Sequence, residues 1–138
     1  MDGIIIKEYT QYNEAELLGL YQSVGWGTYF NQPEQLKQAF ESSLYILGAF
    51  SQKKLLGLLR AVGDGVSVVL IQDILVQPEY QRQGIGTRLI ARLFTLCRNV
   101  RQIHVLTDDL PSTVDFYTAV GFTPIENCHY RALTKHRF

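Results

Sequence analysis

The sequence has few of the features that mark secreted, membrane-spanning or metal-binding proteins. Its two cysteines, Cys97 and Cys128, lie far apart and in no metal-ligand spacing, which favours two reduced thiols over a disulfide. No segment approaches the roughly 20 consecutive apolar residues of a membrane span, and residues 1–9 contain no long apolar run of a secretion signal. We therefore expect a cytoplasmic protein that does not associate with membranes and holds no metal.

The chain also has no excess of charge of either sign. Lysine and arginine together number 13, and aspartate and glutamate also number 13. A general nucleic-acid binder needs a basic surplus to displace counterions from phosphates, so nucleic acid is not an expected partner. The 138 residues, 46% of them hydrophobic and 19% charged, predict one ordinary globular domain spanning residues 1–138.

Hydrophobic spacing and turn signals predict a mixed α/β fold. Strands are expected at residues 4–9, 44–50, 55–62, 66–76 and 103–107, with one or two more between 122 and 133. About four helices are expected, beginning near Asn13, Pro33, Ile85 and Ser112. The architecture is then an antiparallel meander followed by a βαβ unit, in a mostly antiparallel mixed sheet of six or seven strands with helices on both faces.

The segment from Gln81 to Leu89 carries the clearest chemical signal. A strand runs into a turn, and the chain then enters a helix through Gly84 and Gly86. The first turn of a helix leaves about four amide N–H groups without backbone acceptors, and its dipole adds roughly half a positive charge. Glycines without a Cβ let an anion approach those amides, and Arg82 and Arg88 add mobile positive charge. The segment predicts a phosphate or pyrophosphate cradle.

Other readings of two glycines at this spacing exist. Tight packing of a helix on a strand would equally require them. A P-loop is excluded because no Gly-Lys-Ser/Thr follows. A dinucleotide fold is disfavoured because the third glycine is missing and a meander precedes the motif.

The segment resembles motif A of the GNAT superfamily of N-acetyltransferases, which has the pattern Gln/Arg-x-x-Gly-x-Gly/Ala after a strand. Here it stands as Gln81-Arg82-Gln83-Gly84-Ile85-Gly86. The stretch from Phe116 to Phe122 resembles motif B of the same family. The order and separation of the two motifs and the preceding meander extend the resemblance over most of the chain from Leu44 onward.

The resemblance implies acetyl-CoA as the acyl donor and cosubstrate. In the family, the two central strands splay apart beyond a bulge, and the pantetheine arm pairs with one of them as an added strand. This implies backbone contacts from Ile74, Leu75 and Val76, with one N–H near Leu75 holding the oxyanion. The pyrophosphate would be held by the amides of Arg82, Gln83, Gly84, Ile85, Gly86 and Thr87.

Tyr117 and Asp73 are the catalytic candidates. By the resemblance, Tyr117 occupies the position that donates a proton to the CoA sulfur; alternatively it is a helix tyrosine packed on the sheet. Asp73 is a carboxylate in an otherwise apolar strand, so it must be partnered or border a cavity. It is read as a general base, as an amine-binding anion or as a structural hydrogen-bond anchor. Gln72 replaces a glutamate found in some relatives, and Leu110 stands where an asparagine contact to CoA is usual.

The aromatic loop residues Trp26, Tyr29 and Phe30 lie where the family forms a wall of the acceptor site; alternatively their rings cap the core. The predicted function is transfer of an acetyl group to an amine on a small molecule, a peptide or a protein, by direct attack on the thioester. An antibiotic-modifying enzyme would be an acceptor variant. The alternative function is a non-catalytic CoA-binding sensor or interaction module. The resemblance also implies a homodimer, although the sequence leaves the oligomeric state open.

Overall fold

The computed structural model describes residues 3–26 and 32–135. The chain divides into two compact units, residues 1–106 and residues 107–138. Among the described residues, the first unit contains the sheet, three α-helices and a 3-10 helix at Pro78–Tyr80, and the second contains one α-helix and one 3-10 helix. The prediction of one domain over residues 1–138 stays a prediction.

The sheet in the described residues has five strands in the order β1-β2-β3-β4-β5. Strands β1 to β4 pair with one another antiparallel, and β5 pairs with β4 in parallel. This confirms the predicted meander and mixed sheet, with fewer strands than the six or seven expected. The strands are β1 (Ile4–Glu8), β2 (Tyr45–Ser51), β3 (Lys54–Gly63), β4 (Val68–Val76) and β5 (Gln102–Val105).

The final strands expected between residues 122 and 133 are the part of the fold prediction that was wrong. This stretch holds a 3-10 helix, Ile125–Cys128, and no strand. Pro124 precedes that helix and has no N–H for a sheet ladder. His129 then takes a left-handed conformation at φ 63°, and residues 126–135 are exposed. The segment therefore has neither the backbone nor the buried face of a strand.

Four α-helices occur in the described residues, as expected from the sequence: α1 (Glu14–Ser23), α2 (Pro33–Glu41), α3 (Ile85–Leu96) and α4 (Pro111–Ala119). The Asn13 side chain accepts a hydrogen bond from the Glu16 amide and caps α1. Gly25 follows α1 at φ +79°, which is the left-handed position that ends many helices. None of the helices in residues 3–26 and 32–135 is long and apolar enough to cross a membrane.

The two faces of the sheet in the first unit are covered by different helices. Leu17 of α1 and Leu36 of α2 are fully buried in one cluster with Leu58 of β3. The preceding residue on the strand, Gly57, faces the opposite way, because a Cβ built there would lie 3.3 Å from Ile85 of α3. Helices α1 and α2 therefore cover one face and α3 covers the other, which confirms the prediction of helices on both faces.

Strand β4 begins two residues later than predicted, and Asp64 explains the difference. Its carboxylate accepts hydrogen bonds from the amides of Val66, Ser67 and Val68 and from the Ser67 hydroxyl. The amides that follow the turn are therefore bound by the Asp64 side chain and not by a neighbouring strand, so β4 begins only at Val68. They also lower the pKa of the Asp64 carboxyl well below its ordinary value.

Candidate active site

A strand–turn–helix unit connects β4 to α3 and is fixed to the central strands by two glutamine side chains. Gln77 donates from its side-chain amide to the Leu55 carbonyl at 2.7 Å and from its backbone N–H to the Leu56 carbonyl at 2.8 Å. Gln81 donates to the carbonyl of Val76 at 3.0 Å. Because both ends of the turn are bound to β3 or β4, the entrance to α3 has a defined position relative to the sheet.

The entrance to α3 presents amides that have no helical acceptor. The first i to i−4 bond of the helix runs from the Arg88 amide to the Gly84 carbonyl. The amides of the three residues between them lie in the first turn, before any such bond can form. Arg82 and Gly84 both have left-handed backbones, at φ +64° and +81°, and alternation of such residues with ordinary ones forms anion-binding concavities. The geometry fits a phosphate group.

The alternative explanation, tight helix–strand packing, does not account for Gly84 but does apply to a glycine of β3. A Cβ at Gly84 would meet nothing within 4 Å, so the backbone angle and not the space requires glycine there. At Gly57 of β3 a Cβ would lie 3.0 Å from the Leu75 carbonyl and 3.3 Å from Ile85. The close approach of α3 to the sheet therefore depends on Gly57, which the sequence analysis did not single out.

The two arginines near the cradle differ in how much freedom they have. Arg88 donates from its guanidinium to the carbonyl of Ile4 in β1, at 2.9 Å. Its charge is tied to the edge of the sheet, so the expectation that it is mobile was wrong. Arg82 is exposed beside the first turn of α3. Of the two, Arg82 is the one placed to meet an anion at the helix entrance.

Strand β4 has a bulge at its centre and continues beyond its pairing with β5. Arg60 faces Asp73 across the β3–β4 ladder, but the next residue along β3 faces Ile71, so Gln72 is an extra residue. The β4–β5 ladder ends at Ile71, whereas β4 continues to Val76. The last five residues of β4 therefore extend past their last β5 partner, next to the cradle.

The hydrogen bonds of the ladder show which backbone groups of this extension face away from β3. Gln77 donates its N–H to the Leu56 carbonyl of β3. Because directions alternate along a strand, the N–H of Leu75 also faces β3. Those of Ile74 and Val76 face the opposite side, and the Gln81 side chain binds the Val76 carbonyl there.

A hydrogen bond at the other side of the sheet gives the same result. Tyr9 donates its N–H to the Ile46 carbonyl, so Ile46 faces β1. The backbone N–H and C=O groups of successive residues point to opposite sides of a strand. Leu47 therefore faces its partner Leu59 in β3, and Leu58 faces its partner Leu75 in β4, with no bulge between these pairs. The N–H of Leu75 again points toward β3. Of the three residues expected to contact the donor, Ile74 and Val76 thus present outward amides and Leu75 does not.

Asp73 is buried in a hydrogen-bonded cluster. Its Oδ2 accepts from Arg60 Nε and from the Tyr21 hydroxyl, each at 2.8 Å. Arg60 also donates to the Ser43 hydroxyl at 3.2 Å, and its guanidinium lies 5.8 Å from the centre of the Phe40 ring. The relative exposures of Arg60 and Asp73 are only 4% and 3%. These contacts favour the third reading of Asp73, a structural hydrogen-bond anchor.

Arg60 and Tyr21 were missed by the sequence analysis. A signal for Arg60 was present, because it is a charged residue inside the apolar run from Leu55 to Val62. The same reasoning that singled out Asp73 applies to it. No comparable signal marks Tyr21, whose ring is fully buried at a helical core position.

The predicted aromatic acceptor wall is described only in part. Tyr29 and Phe30 lie outside the described residues. Trp26 has a relative exposure of 38%, and its ring centre lies 6.0 Å from that of Tyr21. The Trp26 amide donates to the Tyr21 carbonyl at 3.0 Å. Trp26 is therefore attached to the residue that also holds Asp73.

Tyr117 lies in α4, in the second unit. Its ring makes edge contacts with Phe116 and Phe122, at centre distances of 5.0 and 5.8 Å. The side chain is 8% exposed. Burial, with a smaller contribution from the negative charge of Asp108, raises the pKa of the Tyr117 hydroxyl to about 12. Tyr117 is thus a neutral hydrogen-bond donor at physiological pH.

Residues 9–136 match the family model of the acetyltransferase (GNAT) domain. Among curated proteins, the chain is 30% identical over 131 residues to the uncharacterized N-acetyltransferase ycf52 of Gracilaria tenuistipitata var. liui, covering 87% of this chain and 69% of that one. It is 41% identical over 73 residues to GCN5-related N-acetyltransferase 2, chloroplastic, of Arabidopsis thaliana, covering 51% of this chain. The chain spans only 28% of the length of that plant protein.

A solved structure gives the same result. The GNAT family acetyltransferase SP0256 of Streptococcus pneumoniae superposes with a TM-score of 0.86 at 34% identity, over 97% of this chain and 98% of that one. The outward amides at the entrance to α3 and along β4 lie within the matched range. The chain therefore belongs to the GNAT acetyltransferase family and is an acyltransferase.

Proposed function

We propose that the protein transfers the acetyl group of acetyl-CoA to an amine, by direct attack of the amine nitrogen on the thioester carbonyl. The observation that carries this proposal is the strand–turn–helix unit from β4 to α3. It presents one set of amides at a helix N-terminus and a second set along the extension of β4. A ligand with an anionic end and an amide-containing arm could bind the helix amides with its anionic end and the strand amides with its arm.

The cradle at the entrance to α3 suits the pyrophosphate of acetyl-CoA. Its amides would be those of Arg82 to Thr87, with the Arg82 side chain adding positive charge. Open space around the Gly84 Cα leaves the backbone accessible. When bound, acetyl-CoA supplies an activated acyl group and a thiol leaving group.

The extension of β4 suits the pantetheine arm and the thioester. We assign the arm to the backbone groups of Ile74 and Val76, which face away from β3. Leu75 lies between them, but its own N–H faces β3 and does not contact the arm. The N–H of Ile74 is our candidate donor to the oxyanion that forms as the amine adds to the carbonyl. A fixed donor of this kind contributes roughly 10²–10³ in rate.

Tyr117 is our candidate for protonating the departing sulfur, on the strength of the motif B resemblance. Its raised pKa, about 12, keeps the proton on the hydroxyl in the free protein. A thiol has a pKa of roughly 8.5, so complete transfer is uphill unless Tyr117 regains a proton as it gives one up. The proton that leaves the attacking amine can supply that need.

The amine must be neutral to attack, and Asp73 is the carboxylate predicted as its base or binding anion. Asp73 already accepts hydrogen bonds from Arg60 and Tyr21. We propose that the ammonium form of the acceptor instead loses its proton to solvent through water before the attack, and that the second proton, lost from nitrogen after addition, is the one that returns to Tyr117. The acceptor is proposed to be a small-molecule or peptide amine, with Trp26, Tyr29 and Phe30 as wall residues. Cytoplasmic location and a homodimer stay predictions.

Calorimetry with acetyl-CoA and with desulfo-CoA, followed by release of free thiol with a panel of amines, tests the proposal. The panel contains a polyamine, an arylalkylamine and a lysine peptide. Saturable binding with turnover of any amine supports it. Saturable binding with no turnover across a broad panel would support the sensor function, and absence of binding would exclude both.

The variant Gly84→Glu identifies the site of binding. A carboxylate at the helix entrance repels the pyrophosphate and occupies the open space beside Gly84, so calorimetric binding should be lost while the far-UV spectrum is unchanged. Unchanged affinity would count against the cradle. Gly65→Glu, at a distant turn glycine with φ +76°, is the control for the backbone strain.

A further inference from the structure

The cluster of Arg60, Asp73 and Tyr21 lies beside the bulge that precedes the candidate oxyanion donor. Arg60 and Asp73 are the last directly opposed pair before the extra residue Gln72. The next residue after Asp73 is Ile74, whose N–H faces away from β3. The cluster therefore lies at the point where the pairing with β3 determines which residues of β4 face outward.

We propose that Arg60, Asp73 and Tyr21 are positioning residues, which hold the β3–β4 register and thereby aim the Ile74 amide at the donor thioester. The inference rests on the proposed function, because the aimed amide matters only if a thioester binds along β4. None of the three residues is assigned a contact with substrate.

The reason lies in the two-residue period of a strand. A shift of β4 by one residue would remove the bulge and invert every residue beyond it. The N–H of Leu75 would then face outward in place of that of Ile74. The same shift would separate Asp73 from Arg60, since the carboxylate would leave the face covered by α1. The ion pair exists in the register that presents Ile74 and not in the shifted one.

Stability alone gives a weak reason for such a pair. Two charges lose their hydration when buried, and apolar residues of similar volume often serve the fold as well or better. A buried pair can instead select one arrangement among several, because every other arrangement leaves a charge without its partner. Next to a bulge, the arrangement selected is the register.

Tyr21 of α1 connects this register to Trp26. Its hydroxyl binds Asp73, and its carbonyl accepts the N–H of Trp26. The strand that presents the Ile74 amide and the Trp26 backbone are thus both bound by Tyr21. Loss of the Tyr21 hydroxyl should weaken the register without removing the ring from the core.

The test uses acetyl-CoA labelled with ¹³C at the thioester carbonyl, and it needs no identified amine. Isotope-edited infrared spectra of the bound ligand report the hydrogen bond to that carbonyl, which moves the band to lower wavenumber. The variants are Tyr21→Phe and the apolar triple variant Tyr21→Phe/Arg60→Met/Asp73→Leu, which leaves no buried charge unpaired. Ile90→Val, buried on the α3 face, is a control that lowers Tm by about 3 °C.

We expect the triple variant still to bind acetyl-CoA through the intact cradle, with a Kd raised only a few-fold because the arm loses the outward groups of Ile74 and Val76, and to lose most of the band shift. With any amine that the wild type acetylates, kcat should fall by about 100-fold, a much larger loss than that of the affinity for acetyl-CoA. Tyr21→Phe should show a smaller loss of the same kind, and Ile90→Val should show none.

A folded triple variant with the wild-type band position and kcat would overturn the inference and leave the proposed function standing. If the triple variant does not fold, Tyr21→Phe decides: a band displaced toward that of free acetyl-CoA supports the inference, and an unchanged band overturns it. A wild-type protein that binds no acetyl-CoA would instead refute the proposed function itself.

Discussion

The left-handed backbone of Gly84 allows the cradle to be tested without introducing charge or bulk. In Gly84→Ala the new Cβ meets no atom within 4 Å, so the effect is conformational. An alanine at φ +81° costs roughly 1–2 kcal/mol. For a protein of this size, such a loss corresponds to a decrease in Tm of about 3–8 °C.

The same free energy limits the effect on binding. If the loop leaves the left-handed conformation in the free variant, acetyl-CoA must restore it on binding. The apparent affinity then falls by at most the equivalent of the relieved strain, roughly 5- to 30-fold. If the loop keeps its conformation, Tm falls by the full amount and the affinity is unchanged. The loss in unfolding free energy and the loss in binding free energy should therefore add up to the strain of one left-handed alanine.

Gly65→Ala is the matched control. Gly65 has φ +76°, and a Cβ there makes only ordinary contacts of 3.4–3.5 Å with Leu44. Its Tm should fall by a similar amount while calorimetry gives the Kd of the wild type. An affinity loss for Gly84→Ala well above 30-fold, or an equal affinity loss for Gly65→Ala, would refute the reasoning.

Three further predictions concern single side chains. Tyr117→Phe should lower kcat and leave the Kd for CoA unchanged, measured by thiol release and calorimetry; equal activity would assign Tyr117 to packing. Arg82→Gln should weaken CoA binding a few-fold and reduce the dependence of Kd on salt, whereas an unchanged salt dependence would remove Arg82 from the site. Asp64→Asn should lower Tm at pH 7, because the folded pKa of Asp64 lies below its unfolded value, so its contribution exists above the unfolded value and is lost as pH falls through the folded one. The difference in Tm from the wild type should therefore shrink in acid, and a constant difference from pH 7 to pH 2 would contradict this origin.

The local elements of the fold were predictable because their signals are local. Asn13 and Gly25 frame α1 through a cap and a left-handed residue, and both signals depend only on neighbouring residues. Pro33 marks the start of α2 in the same way. The stretch after Phe122 has apolar residues but no alternating buried face, and there the sequence signal for strands was too weak to outweigh Pro124.

The candidate site divides in a similar manner. The cradle was predictable from the glycine spacing, because a helix N-terminus is an anion site wherever it occurs. The sequence could not show whether Leu75 or its neighbour Ile74 presents its N–H away from β3. The direction of its N–H depends on the bulge at Gln72 and on the register with β3, and neither is encoded in the residues of β4 alone. One residue of uncertainty in register inverts the assignment.

The buried cluster shows what kind of inference a single sequence permits. Asp73 is recognisable as unusual because a carboxylate in an apolar strand requires a partner. Arg60 is unusual for the same reason in the preceding strand, and charge balance alone suggests that the two are partners. Their separation along the chain does not decide the match, however, since the bulge at Gln72 determines which residue of β4 lies opposite Arg60. Sequence can therefore reveal that two buried charges need partners, whereas only the register shows that each is the partner of the other, and the same register decides which amide faces the donor.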